Sequence, residues 1–245
     1  MRCAIISDIH SNLAAFRAVL QDVKTRGGVE QIWCLGDITG YGPNPRECIH
    51  LLRQYEHICV AGNHDLGAIG EIALSDFNDE AAVACAWTNQ QLGPEDRDYI
   101  ANLPLRLVKG DFTLAHGSPR EPIWEYVLSI SDARVNFEYF HTRACLVGHT
   151  HVPLIFEHIV KSEKYLVHET SPDKTLGLME NRLIINPGSV GQPRDGDPRA
   201  SYVIYDSEYT SIHYYRVHYD IIVTQQKMRE YNLPYHLITR LEHGW

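Results

Sequence analysis

The sequence predicts an α/β domain in which two packed sheets are flanked by helices, and three observations predict it. The N-terminal part alternates short apolar runs with stretches of helical periodicity, as strand, helix, strand units do. From Leu105 onward, apolar runs recur with turns between them, and most read as antiparallel strands. No linker, internal repeat or low-complexity segment divides the 245 residues, so a single domain over 1–245, with a helical extension from about residue 220, is the simplest organisation.

In chain order, Cys3 to Ser7 reads as a first strand ending in Asp8-Ile9-His10. Side chains two apart on an extended strand point the same way, so Asp8 and His10 are expected to converge. A helix is expected from Ser11 or Asn12. Leu13, Phe16, Val19, Leu20 and Val23 recur at helical spacing, a capping residue stands in front, and Gly27-Gly28 supplies the stop. Its N-terminus is expected to open beside Asp8 and His10, with N–H groups free for an anion. Ile32-Trp33-Cys34-Leu35 gives a second strand ending in Gly36-Asp37. Strand, helix, strand implies a right-handed crossover and parallel pairing, which places both polar ends on one sheet edge, where open α/β sheets bind ligands. The loop from Thr39 to Asn44 leads into a short helix with Pro45 at its first position. Ile58-Cys59-Val60-Ala61 is a third strand, closed by Gly62-Asn63-His64-Asp65.

An alanine-rich helix carrying Trp87 is expected from about Ser75 to Gln91, and a shorter one with Tyr99, Ile100 and Leu103 after Gly93-Pro94. Leu105 to Val108 and Phe112 to Ala115, joined by Lys109-Gly110-Asp111, form a hairpin pattern that delivers His116-Gly117-Ser118. Ser131 to His141 has helical spacing, and Cys145 to Gly148 is a strand ending in His149-Thr150-His151. Pro153 to Ile159, Tyr165 to His168 and Arg182 to Ile185 read as antiparallel strands, with Ser171-Pro172-Asp173-Lys174 a turn or exposed excursion. The glycine- and proline-rich loop from Asn186 to Arg199 is too long for a plain connector. Two aromatic strands follow, and from Asp220 an amphipathic helix runs to a break near Pro234 and a short second helix.

Hydrophobic content of 44% with 22% charged residues is that of an ordinary soluble globular protein. A formal net charge of -9 excludes strong nucleic-acid binding, which needs a basic face. Any phosphate is expected to be met by local positive charge, such as bound metal. The six cysteines lie singly, mostly in apolar runs and never as Cys-x-x-Cys, which suits buried thiols in a reducing compartment. No apolar stretch approaches the ~18 residues of a membrane span, and Asp8 comes too early for a secretory signal. These readings together point to the cytoplasm.

Five apolar segments end in residues able to bind metal: Asp8 and His10, Asp37, Asn63 and His64, His116, and His149 and His151. Any one of these histidines alone is better read as a hydrogen-bonded structural residue, but a coincidence would have to recur at five segment ends. Carboxylate, amide oxygen and imidazole suit a borderline cation such as manganese, iron, cobalt or zinc, without the thiolates that a structural zinc site prefers. Eight candidate ligands exceed the needs of one ion, whereas a pair sharing a carboxylate, ~3.5 to 4 Å apart, uses them naturally.

The set Asp8-x-His10, Gly36-Asp37, Gly62-Asn63-His64-Asp65, His116 and Gly148-His149-x-His151, in that order, resembles the calcineurin-like metallophosphoesterases across most of the chain. The resemblance implies a four-layer α/β/β/α sandwich, the metallo-dependent phosphatase fold. It also implies two divalent metal ions, manganese first, with iron, zinc, cobalt or nickel as alternatives. Asp8, His10 and His151 are the implied ligands of one ion and Asn63, His116 and His149 of the other, with Asp37 bridging. His64 is the implied catalytic residue, touching the phosphate and the leaving group; the adjacency of Asp65 does not show that it orients the ring. The implied reaction is hydrolysis of a phosphoester by in-line attack of a metal-held hydroxide. Where the phosphoprotein phosphatase branch carries an Asp and a phosphate-gripping Arg, this chain has Ile38-Thr39-Gly40-Tyr41-Gly42. The loop Asn186-Pro187-Gly188-Ser189, with Gln192-Pro193-Arg194, is instead similar to the compact bacterial and archaeal phosphodiesterase-like branch.

The expected substrate is accordingly a small phosphodiester, a nucleotide or a dinucleoside polyphosphate. Arg120, Arg194 and Arg199 are candidates for phosphate contacts, and Tyr41 for stacking on a base. Trp87, Trp124, Tyr202 and Tyr214 are read as packing, and the tyrosines clustered near the end equally as the interface of a homo-oligomer. Two other readings stay open: a catalytically silent scaffold on this fold, and a protein that binds a single metal without turnover. Retention of His64 and of every ligand position favours the enzyme.

Overall fold

The computed structural model describes residues 1–171, 175–178 and 181–245; within the polar stretch 171–174, the expected turn at 172–174 lies outside the described residues. Strand β1 (Arg2–Ile6) is followed by α1 (Leu13–Thr25), β2 (Gln31–Cys34), α2 (Pro45–Leu52), β3 (His57–Cys59), α3 (Asn63–Ile69), α4 (Asp79–Gln91) and α5 (Pro94–Ala101). The hairpin β4 (Arg106–Lys109) and β5 (Phe112–Ala115) leads to α6 (Ile130–Asn136), then β6 (Ala144–Leu146), β7 (Leu154–Ile159), β8 (Lys164–Glu169), β9 (Thr175–Gly177) and β10 (Arg182–Asn186). Strands β11 (Ala200–Asp206) and β12 (Ser211–Val217) and helices α7 (Ile221–Glu230) and α8 (Tyr235–Thr239) complete the order.

Among the described residues the strands form two six-stranded mixed sheets, β3-β2-β1-β11-β12-β9 and β4-β5-β6-β10-β7-β8. The expected parallel pairing of β1, β2 and β3 is present, and so are the antiparallel pairings of β4 with β5 and of β11 with β12. The period of two along each strand produces the layers. On β1, Ala4 and Ile6 pack with Phe16 and Val19 of α1, whereas Cys3 and Ile5 pack against Phe112, Leu114 and Ile185 of the other sheet. On the far side of that sheet, Cys145, Phe156 and Ile184 pack with Ala133 of α6 and with Phe137 and Phe140. Helices, sheet, sheet and helix therefore stack as four layers, and each buried aliphatic side chain of the middle layer, such as Leu114, contributes roughly 1.5–3 kcal/mol.

Two helices depart from their expected limits. The stretch from Ser75 does not run unbroken to Gln91: a short 3-10 turn, Leu74–Asp76, is followed by extended Phe77, and α4 starts only after Asn78, whose side chain accepts the Ala81 N–H at 3.0 Å. Asparagine favours such a cap over a helix interior, and the break displaces Phe77 from the helix. Helix α6 starts earlier, capped by Ser129, and tightens into a 3-10 turn at Phe137–Tyr139.

Asp96 ties α2 to α5. It is fully buried, and its carboxylate accepts from Gly93 N–H (2.9 Å), Arg46 Nε (2.9 Å) and His50 Nε2 (2.7 Å). Burial alone raises its pKa, but these donors outweigh it and hold the carboxyl below its usual range. Asp96→Ala is expected to cost roughly 1–3 kcal/mol, seen as a lower Tm at neutral pH. Because the folded-state pKa is depressed, that contribution is present above the usual carboxylate range and lost as pH falls through the folded value, so the two proteins should converge in acid.

No helix among the described residues is long and apolar enough to cross a membrane, and all six cysteines are buried free thiols.

Candidate metal centre

Parallel pairing puts the C-terminal ends of β1, β2 and β3 on one edge, and backbone hydrogen bonds stitch the loops beyond them together. Asp8 N donates to Gly36 O (3.1 Å) and His10 N to Asp37 O (2.9 Å), while Gly148 N donates to His116 O (2.7 Å). The long loop after β10 locks this edge. Asn186 Nδ2 donates to Gly148 O (2.7 Å) and Thr150 Oγ1 (2.9 Å), and Ser189 Oγ to Asp8 O (2.8 Å).

Asp8 and His10 do converge, but not through the strand alternation that the sequence suggested. Their φ angles are 55° and 47°, Asp37 has 53°, and His149 and His151 have 63° and 60°. Each left-handed non-glycine residue costs on the order of 1–3 kcal/mol and persists only where surrounding contacts over-determine it, here the stitching between loops. The glycines that precede Asn63 and His149 follow from the same crowding. A Cβ on Gly62 would lie 2.0 Å from Asp37 Oδ1, and one on Gly148 would lie 2.0 Å from Ser7 Oγ and 3.0 Å from Asp8 Oδ2.

Two buried groups of metal-competent side chains result, Asp8 with His10 and His151, and Asp37 with His116 and His149. In each carboxylate one oxygen is used and one is left. Asp8 Oδ2 accepts His149 N–H (3.2 Å) and Asp37 Oδ1 accepts His64 N–H (2.9 Å), whereas Asp8 Oδ1 and Asp37 Oδ2 are buried without a hydrogen-bond partner. Asp8 Oδ1 lies 3.7 Å from His10 Nε2 and 3.3 Å from His151 Nε2, and Asp37 Oδ2 lies 3.6 Å from His10 Nε2 and 3.3 Å from His116 Nε2. Asp37 Oδ2 thus stands between the two groups.

The tautomers are fixed from behind. Nδ1 of His10, His116 and His151 donates to the carbonyls of Thr39 (3.0 Å), Leu35 (2.8 Å) and Gln192 (2.6 Å). That turns each Nε2 lone pair inward, the arrangement of metal-ligating histidines. His10 Nε2 then faces His151 Nε2 at 3.0 Å, and His116 Nε2 faces Asn63 Oδ1 at 3.1 Å and His149 Nδ1 at 3.2 Å. The two Nε2 lone pairs of His10 and His151 repel at this distance unless positive charge lies between them, and across the site the charged ring of His116 supplies such charge, so the donor set fits cations. Burial would raise Asp8 and Asp37, but the histidines, His151 and His116 foremost, hold both well below the usual carboxylate range. Burial would lower His116, yet Asp37 brings it up to about 10. Burial pushes His149 down to about 3 and carries His10 and His151 below their ordinary value, which keeps these rings in the neutral, ligating form.

His64 belongs to neither group. It sits in the first turn of α3, packed by Tyr41 (4.3 Å), His10 (5.0 Å) and Phe77 (5.1 Å). Its Nδ1 is turned inward, 3.7 Å from Cys85 Sγ, and burial pushes its pKa down to about 4. Asp65 does not orient that ring; its carboxylate accepts from Ile38 N, Thr39 N, Thr39 Oγ1 and Gly62 N and clamps the two loops. The N-terminus of α1 is not open to an anion either. Asn12 Oδ1 caps Ala15 N–H and accepts from Thr224 Oγ1 of α7, which closes that end.

Beside the two groups lies a cleft of about 230 Å³ lined by Asp37, Asn63, His64, His149, His151 and Arg194 among others. Arg194 is held by Gln192 Oε1 (2.8 Å) and Tyr41 OH (3.4 Å). Arg120 and Arg199 lie outside the cleft lining, ion-paired with Glu125 and with Asp197 respectively. Tyr41 lines the cleft, but it is only 7% exposed and packs against His10 and His64, which leaves little ring face for a base. Phe77, Trp124 and Tyr126 also line the cleft and were missed in the sequence; the nearness of Trp124 and Tyr126 to His116 along the chain was the available signal. Larger depressions, about 450 Å³ around Leu20 and Tyr55 and about 610 Å³ around Arg2 and Tyr215, gather no comparable set of ligating side chains.

A family model described as the calcineurin-like phosphoesterase superfamily domain matches residues 1–210. An uncharacterized protein of Methanocaldococcus jannaschii is 41% identical over 245 residues, 97% of this chain and 96% of that protein. A symmetrical bis(5'-nucleosyl)-tetraphosphatase of Pseudomonas putida is 32% identical over 63 residues, 25% of this chain and 22% of that protein. Among solved structures, a metallophosphoesterase from Sphaerobacter thermophilus is 48% identical with a TM-score of 0.91, covering 100% of this chain and 99% of that one. A hypothetical protein from Pyrococcus horikoshii, 22% identical with a TM-score of 0.79 and covering 100% of this chain and 98% of its own, shares the fold.

Proposed function

We infer the activity from one premise: this chain belongs to the calcineurin-like phosphoesterase superfamily. The reading is a metal-dependent hydrolase of a small phosphoester, of the nucleotide, phosphodiester or dinucleoside polyphosphate class. The observation that carries it is the pair of buried carboxylate oxygens, Asp8 Oδ1 and Asp37 Oδ2, left unpartnered among inward-facing histidine nitrogens.

In this reading Asp8, His10 and His151 would hold one divalent cation, Asn63, His116 and His149 the other, and Asp37 would serve both. Such ions, when bound, acidify water and neutralise charge on the phosphoryl group, and the mixed oxygen and nitrogen donors favour manganese or a neighbour of similar preference. The protein supplies the remainder. With Nδ1 of His64 turned toward Cys85, Nε2 is the atom left to meet the departing oxygen and, once phosphoryl charge beside the ring offsets the burial that lowers its pKa, to give it a proton. Arg194, the lysine- or arginine-type cation among the described residues lining the cleft, grips phosphoryl oxygens. Tyr41 braces both His64 and Arg194 rather than touching a base. The local similarity to a bis(5'-nucleosyl)-tetraphosphatase supports a nucleotide-type substrate, and the buried thiols suit the cytoplasm.

Arg194→Ala is expected to raise KM roughly ten- to a hundredfold, the worth of charge-assisted hydrogen bonds, with metal content unchanged. An unaltered KM would remove Arg194 from the phosphate site. The function itself is tested by a manganese-supplemented screen of phosphomonoesters, phosphodiesters, cyclic nucleotides and dinucleoside polyphosphates, run beside metal analysis. Turnover with about two ions per chain supports the enzyme. Two ions without turnover indicate a silent scaffold, and one ion without turnover a metal-binding protein.

A further inference from the structure

The proposed reaction leaves one wall of the cleft without a role. Phe77, Trp124 and Tyr126 form it, with Asp76 and Asn78 at the rim. Their rings join into a row that starts at His64 and passes the ligand His149. Phe77 meets His64 edge-on at 5.1 Å, Trp124 meets Phe77 at 5.1 Å and His149 at 6.3 Å, and Tyr126 stacks on His149 at 4.2 Å with only 11° between the planes.

Core packing accounts for one side of Phe77, which packs against the cluster around Ala81 and Ala84, but not for Trp124 and Tyr126. Tyr126 is 48% exposed and neither Phe77 nor Trp124 is buried, although water disfavours exposed rings of this size. They come from two segments far apart in sequence, Phe77 from one and Trp124 and Tyr126 from the other, and Phe77 reaches the cleft because the chain breaks ahead of α4. The row begins at His64, the residue assigned to the leaving group. A ring surface in that position matches a planar group on the ester, because base–aromatic stacking needs only a π-face. Asp76 and Asn78 are exposed beside Phe77; the carboxylate can accept from N–H and hydroxyl groups, and the amide N–H of Asn78, whose oxygen caps α4, can donate to ring nitrogens or hydroxyl oxygens, all groups that a nucleoside carries and a simple aryl ring lacks. The volume, about 230 Å³, falls below the ~300–1,000 Å³ of sites that enclose drug-sized ligands, so it takes a phosphoryl group with one such moiety and not two.

We propose that Phe77, Trp124 and Tyr126 form the subsite for the organic group of the substrate, and that this group is a single nucleoside whose base stacks on the wall. The assignment rests on the phosphoesterase reading of the same cleft. A dinucleoside polyphosphate would have one nucleoside held here and the other left in solvent.

Calorimetric titration of the full-length, manganese-loaded protein tests it, using methylene phosphonates of adenosine and of ribose, which share the phosphonate and resist hydrolysis. Stacking worth about 1–3 kcal/mol corresponds to roughly 5- to 150-fold in affinity, so the adenosine compound should bind at least about fivefold more tightly. In Trp124→Ala that ratio should fall toward one while the ribose compound binds as before, and Tyr126→Ala should reduce it in part. Equal affinities in the unaltered protein, or an equal loss of both in Trp124→Ala with metal content intact, would overturn the subsite. A benzyl phosphonate that gains as much as the adenosine compound would overturn the nucleoside. A preserved ratio in a protein that hydrolyses no phosphoester supports the subsite and overturns the hydrolase reading alone.

Discussion

His64→Gln is expected to lower kcat by about 10²- to 10⁴-fold on an ester with a poor leaving group, the typical worth of a general acid, while about two divalent ions still bind. The ring is outside both ligand groups, so its removal should spare the metals. Glutamine keeps most of the volume packed by Tyr41 and Phe77, and the backbone N–H of residue 64 still serves Asp37 Oδ1. The decisive comparison is between leaving groups. A p-nitrophenyl ester departs as a stable phenolate and needs little protonation, so its loss should be much smaller than that of an alkyl or nucleoside ester. Equal losses would assign His64 to phosphate binding instead, and a matching loss of metal would make it a ligand.

Much of the framework was legible because its causes are local. The continuous apolar run Cys3 to Ile6, the helical spacing of Phe16 and Val19, and the asparagine cap before Leu13 each act within a few residues. The meeting of Asp8 and Asp37 on one edge followed from parallel pairing, which a strand, helix, strand order dictates, whereas His116, His149 and His151 end strands of the other sheet and were joined to them only by the resemblance. The left-handed turns at Asp8, His10 and Asp37 were not legible, since hydrogen bonds from other loops impose them against local preference. The choice among Arg120, Arg194 and Arg199 was equally closed to the sequence. Their surroundings depend on whether Glu125, Asp197 or Gln192 folds against each guanidinium. Tyr41 and Trp124 exchanged the roles expected of them for a similar reason. Neighbouring histidines bury the first, while a loop carries the second to the cleft.

Asp37→Asn tests the link between the two ion sites, and its effect should exceed that of any substitution behind the ligands. Loss of a group that only supports a ligand already costs about 10- to 100-fold in metal affinity, so losing a shared ligand charge should cost at least about 100-fold and take stoichiometry from two ions to one or fewer. The side chain keeps its size, and its remaining oxygen can still accept His64 N–H. At the other position an amide N–H replaces Oδ2, which lies 3.3 Å from His116 Nε2 and 3.6 Å from His10 Nε2. That group can donate to the lone pair of neutral His10, but it meets the N–H of charged His116 and repels a cation. His116, brought up to about 10 chiefly by Asp37 against the pull of burial, also loses the partner that favours its charged form. The metal-free variant should therefore be less stable than the metal-free parent at neutral pH, because the lowered Asp37 pKa and the raised His116 pKa both record a favourable charge pair that the amide removes. The two proteins should separate further when metal is added. At 100 times Kd a bound ion stabilises the folded state by about 2.7 kcal/mol, and a 100-fold weaker site gives up nearly all of it. Thermal unfolding against manganese concentration should thus show a rising Tm for the parent and a nearly flat one for the variant. Parallel rises with unchanged stoichiometry would mean that Asp37 serves neither ion.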